Sequence, residues 1–155
     1  MIDSKALAKA LNEELRPIGF YKKGLTWYLR KEEVIAVLNL QKSNYDGTFF
    51  INLGFWLRQI EDIQNPKAEQ CHVLSRSEEL WPEETRSIIE QQSEDNACAT
   101  GICQITEIRQ FVREKIIPLL SQGSTLAGLT VMLAAREGFQ VRRVARPLLE
   151  LETTI

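Results

Sequence analysis

The sequence predicts an α+β domain, in which an antiparallel sheet of three to five strands carries an N-terminal helix and a C-terminal helical pair. Three observations predict it. Residues 34–58 are two runs of branched and aromatic residues around Asp46-Gly47, a dipeptide favoured in two-residue hairpin turns. Leu7, Leu11, Leu15 and Ile18 recur ahead of them at helical spacing, and from about Thr106 the apolar period becomes helical again.

Each element has its own warrant. Asp3-Ser4 offers an N-cap for the first helix, and Pro17 and Gly19 close it. The Lys22-Lys23-Gly24 turn leads to a short strand over 25–30, with Trp27 and Leu29 on one side and Tyr28 and Arg30 on the other. In the hairpin, a two-residue loop at Asp46-Gly47 sets cross-strand pairs whose numbers sum to 93, such as Gln41 with Asn52 and Leu38 with Phe55. Alternation then gathers Ala36, Leu38, Leu40, Ile51, Leu53, Phe55 and Leu57 on a core face. The opposite face collects Val37, Asn39, Gln41, Ser43, Phe50, Asn52, Gly54 and Trp56, with Gly54 admitting a close approach to the backbone. That face is either covered by another part of the chain or open to a ligand or partner.

Residues 59–70 read as a connector broken at Asn65-Pro66, 71–74 as a further short strand, 75–82 as a turn carrying Trp81, and 82–92 as a helix that begins with Pro82. Ile105, Ile108, Val112, Ile116 and Leu119 form one helical stripe, which Pro118 kinks or ends. Gly123-Ser124 starts a second helix, with Leu126, Leu129, Met132 and Leu133 inward and Gly138 as its stop. A tight connection makes the two an antiparallel pair. Residues 139–155 are compatible with a strand, a short helix or an arm.

The 155 residues suit one domain, made of helix and meander (1–58), an acidic connector region (59–105), and the helical pair and tail (106–155). Lys+Arg against Asp+Glu gives 9 and 6, 3 and 10, and 7 and 5 for residues 1–60, 61–105 and 106–155, or +3, -7 and +2. The total of -2 gives no global attraction to nucleic acid, whereas the acidic middle suits a basic partner. Cys71, Cys98 and Cys103 lack framework spacing, and the chain opens without a charged-then-apolar leader pattern, so a reducing, cytoplasmic setting is expected. No apolar run approaches the roughly 18 residues of a membrane span.

Chemistry is hard to find. His72 is the sole histidine, and Cys71-His72 with Cys98 and Cys103 has zinc-type ligands at unsuitable spacing. No metal or cofactor is therefore expected. The phosphate-binding glycine patterns are missing, and Glu78-Glu79 and Glu83-Glu84 lie in charge-rich surface sequence.

The segments F-Y-K-K-G-L-T-W-Y (20–28), N-L-Q-K-S (39–43) and F-F-I-N-L-G-F-W (49–56) resemble the bacterial family catalogued as domain of unknown function 4304. The resemblance is good over 11–57 and extends through 71–81, and it implies a helix feeding a W-Y strand and then a hairpin. It brings no catalytic residues. Small bacterial proteins of this kind include members that look like immunity or cargo-neutralising proteins, so the resemblance implies that type of biology by analogy.

The leading expectation is a non-catalytic protein-binding protein, immunity- or inhibitor-like, using either Glu78, Glu79, Glu83 and Glu84 or the amide-and-aromatic face. The alternative is a small-molecule or enzymatic site on the Gln41/Asn52/Trp56 face, with Tyr28, Arg30 or His72 at its edge. A third reading is single-stranded nucleic-acid binding by Lys22, Lys23, Arg30 and Lys42 near Tyr21, Tyr28 and Tyr45.

Overall fold

A computed structural model describes residues 4–42, 49–85 and 102–150, without the side chains of 102–104. The first helix, α1 (Ser4–Leu15), buries Leu7, Leu11 and Leu15, three residues at a spacing of four that share one stripe. Pro17 then shapes a 3₁₀ turn over Arg16–Ile18, and Gly19 stops it with φ 114° and an N–H bond to Arg16 O. Ile18, expected on the buried stripe, is 44% exposed, because the tighter 3₁₀ turn rotates it off the α-helical face.

The described residues form a six-stranded antiparallel sheet, where three to five strands were expected. Its strands are β1 (Tyr21–Lys23), β2 (Thr26–Arg30), β3 (Val34–Lys42), β4 (Phe49–Leu57), β5 (Val73–Arg76) and β6 (Gln140–Val141), neighbours in space in that order. The additions are the two ends. β1 takes residues assigned to a turn, which instead closes at Gly24 with φ 62°. β6 is two residues that return to β5 after the helices, through Val73↔Val141 and Leu74↔Gln140.

The central hairpin keeps the expected faces in a different register. Pairs sum to 91, as in Asn39↔Asn52 and Leu38↔Leu53, so the ladder is offset by two residues from one closing directly on an Asp46-Gly47 loop. Residues 43–48 lie outside the described residues. An even offset preserves the alternation, which is why Ala36, Leu38, Leu40, Leu53, Phe55 and Leu57 still enter the core together.

That core lies between the sheet and the helices. The short α2 (Ser77–Leu80) follows β5 directly, and residues 82–85 are helical. The rest of the expected 82–92 helix, and Cys98, lie outside the described residues. A long rod follows: α3 (Ile102–Phe111), a π turn over Val112–Ile116, and α4 (Ile117–Gln122). Pro118 does not end this rod, because the wider π turn just before it accommodates the missing N–H and the ring. Gly123 lets the chain turn tightly against the Phe55 ring. Thr125 then caps α5 (Leu126–Ala135) by accepting the Gly128 N–H at 3.0 Å. The rod and α5 turn by 119°, short of the full reversal of an antiparallel pair. Residues 143–149 form a 3₁₀ helix, so the tail contains both a strand and a helix.

Polar contacts also fix α1. Trp27 Nε1 donates to Asn12 Oδ1 at 3.1 Å. The Glu14 carboxylate, 9% exposed, accepts from Arg113 Nη2 at 2.6 Å and Arg109 Nε at 2.9 Å. Arg113 above all holds the Glu14 carboxyl below its ordinary pKa, against the opposing effect of burial. The two arginines thus tie the rod to α1. No single helix among the described residues is long and apolar enough to cross a membrane.

Candidate functional site

The second face of the sheet is divided at Gly54. On one side Tyr28, Ile35, Val37 and Trp56 form an apolar patch, and the connector's Ile63, Ala68 and Cys71 lie on it. A Cβ on Gly54 would come within 2.6 Å of Cys71 Sγ, so the close approach foreseen at this glycine is made by the chain itself.

Polar contacts hold the connector down. Asp62 accepts from Arg30 Nη2 at 2.8 Å and from Arg58 Nε at 2.9 Å, and Arg58 foremost lowers its pKa. Arg30 Nη1 also donates to Ile63 O, and Trp56 Nε1 donates to Glu61 O at 2.6 Å. At the far end the Arg142 guanidinium donates to Cys71 O at 2.9 Å and Glu69 O at 2.6 Å. His72 lies on the Trp56 ring with centroids 4.1 Å apart, and its Nδ1 accepts the Leu57 N–H at 2.9 Å. Burial pushes the His72 pKa down and the Cys71 thiol up to about 12. Both groups are therefore neutral structural members. Tyr28, 4% exposed, stacks on Tyr21 at 5.4 Å, and burial raises its pKa.

The other half is polar and open. Cross-strand pairing aligns Thr26, Asn39, Asn52 and Arg76 in one row over β2 to β5. Asn39 Nδ2 donates to Thr26 Oγ1 at 3.0 Å, and Asn52 Nδ2 donates to Asn39 Oδ1 at 3.0 Å and to Gln41 Oε1 at 2.9 Å. Gln41 faces Phe50 rather than Asn52, so the two amides meet diagonally. Arg76 lies over the Phe50 ring at 5.7 Å and touches Glu78 at 3.5 Å. Asn39, Gln41, Asn52 and Arg76, with Leu74 and the Ala68-Glu69 turn, line a cleft of about 490 Å³.

The structure thus keeps Gln41 and Asn52 together, covers Trp56 and Tyr28, and commits Arg30 to Asp62. Arg76 and Glu69 were missed, because each looks like an ordinary surface charge until β5 and the connector are placed. Glu79, Glu83 and Glu84 are exposed, and Glu78 is half-buried beside Arg76. Glu83 and Glu84 belong to a different groove of about 420 Å³, shared with Glu107, Gln110, Phe111, Glu114 and Lys115. Lys22 lies over Trp27 at 5.8 Å, on the helix side of the sheet, while Tyr45 lies outside the described residues. Among the described residues no three His, Cys, Asp or Glu side chains are grouped to hold a metal ion.

No curated protein and no solved structure matches the chain. A family model does match, over residues 11–122, from the middle of α1 through the whole rod. The matched segment contains both halves of the divided face and both walls of the acidic groove, and the chain belongs to the family described as domain of unknown function (DUF4304).

Proposed function

We propose that the chain is a non-catalytic binding protein, of the bacterial immunity or inhibitor type, that engages a basic segment of another protein through the acidic groove. The observation that supports this reading is the convergence there of Glu83 and Glu84 with Glu107 and Glu114 from a distant helix, around the Phe111 ring. Carboxylates set around an aromatic side chain suit lysine- or arginine-bearing segments, whose stems pack while their charges pair. A cytoplasmic setting belongs to the same reading, supported by the free thiol of Cys71. The test begins by recovering the partner with the tagged chain and purifying the pair. Converting Glu83, Glu84, Glu107 and Glu114 to Gln should then weaken affinity by about tenfold at low salt and flatten its salt dependence. Unchanged affinity and slope, with an unchanged circular dichroism spectrum, would overturn the reading.

A second reading has its own observation. The cleft over Asn39, Gln41 and Asn52 has the volume of a small-molecule site and fixed polar groups on its floor. It involves a different surface and is compatible with a protein partner at the acidic groove.

A further inference from the structure

We propose that the open half of the sheet binds a free α-amino acid as a zwitterion, with its carboxylate toward Arg76 and its ammonium toward Glu69, over the carboxamides of Gln41 and Asn52. The proposal rests on the small-ligand reading of this cleft. Two opposite charges line the cleft from different elements, Arg76 from β5 and Glu69 from the connector turn. Glu69 has no ion-pair partner among the described residues, although its main-chain oxygen accepts from Arg142. Arg76 spends Nη1 on the 3.5 Å contact to Glu78, which leaves Nε and Nη2 for a planar carboxylate.

The floor supplies complementary groups. Asn52 uses both Nδ2 hydrogens on Asn39 and Gln41, which orients its Oδ1 as an acceptor without a partner among the described residues. Gln41 accepts through Oε1 and keeps its Nε2 hydrogens to donate. An ammonium and a carboxylate on one small molecule match this acceptor and donor and the flanking charges. The half-buried Leu74 gives an apolar ligand side chain a surface to cover. At about 490 Å³ the cleft exceeds the size of any single amino acid, so the main-chain groups of the ligand, more than its side chain, would set affinity.

The test is a thermal-shift panel of the free amino acids at low millimolar concentration, where general osmolyte stabilisation is small. It is run beside the N-acetylated and C-amidated form of each compound. At least one free amino acid should raise the Tm by a few degrees and its blocked forms should not. Arg76→Gln and Glu69→Gln, both at exposed positions, should keep the unliganded Tm and lose the shift. If N-acetylated forms shift the Tm as strongly, the zwitterion is overturned while a small-ligand site stands. If no compound shifts it, both fall. A shift that survives both substitutions would overturn the assignment to this cleft.

Discussion

The two halves of one sheet face meet at Gly54 and share strands, yet they have opposite fates. On the Trp56 side the polar groups that hold the connector down are paired within the chain. Asp62 lies between two arginines, Glu61 and Cys71 carbonyls accept from Trp56 and Arg142, and His72 Nδ1 takes the Leu57 N–H. On the Asn52 side three carboxamides satisfy one another only in part. Composition accounts for the difference. Ile35, Val37 and Trp56 offer apolar area for Ile63, Ala68 and Cys71 to bury, whereas Asn39, Gln41 and Asn52 reward no apolar cover. That half therefore stays open and polar.

Substitutions that break the contrast should therefore cost stability on one side alone. Trp56→Ala should have the largest effect, a loss of about 3–5 kcal/mol in denaturant unfolding, because it empties the patch beneath the connector. Gly54→Ala should cost about 1–3 kcal/mol, since the new methyl group meets Cys71 Sγ and Cβ and the connector must lift. Accelerated alkylation of Cys71 would report that lifting directly. His72→Phe should cost about 1–3 kcal/mol by leaving the buried Leu57 N–H without an acceptor. Gln41→Ala, on the open half, should stay within about 0.5 kcal/mol of wild type.

His72 also gives the covered half a pH signature. Its folded pKa lies below the ordinary 6.5, chiefly through burial, so the unfolded chain binds the proton more readily. The stabilisation is complete above pH 6.5 and is lost as pH falls from there through the folded pKa, because protonating Nδ1 displaces the Leu57 N–H. Unfolding titrations should show this loss in wild type and a flatter profile in His72→Asn. Glu14 acts lower: its contribution is present above its ordinary 4.5 and is lost as pH falls through the depressed folded value.

The faces of the hairpin were legible because alternation has a period of two, and that parity survived a register offset of the same size. The register itself was not, since it had been inferred from the turn dipeptide alone. β6 was legible only as one of three readings of the tail, because two residues carry no period and their partner strand lies across the whole helical region. Within the site, Gln41 and Asn52 were visible as amides on an outward face. Covering was one of two readings of that face, but the segment that covers Trp56 was not legible, because Ile63, Ala68 and Cys71 are too scattered among polar residues to announce an apolar strap. Likewise, the acidic character of 78–84 was visible, but its union with Glu107 and Glu114 required the helix rod to be placed.

Residue-resolved hydrogen exchange by NMR tests the division of the face most directly. The Leu57 amide, under the connector and bonded to His72, should exchange only at the rate set by global unfolding, while the Gln41 carboxamide protons should exchange nearly as fast as in a free side chain. Fast exchange at Leu57, or strong protection at Gln41, would contradict a face divided into a covered half and an open half.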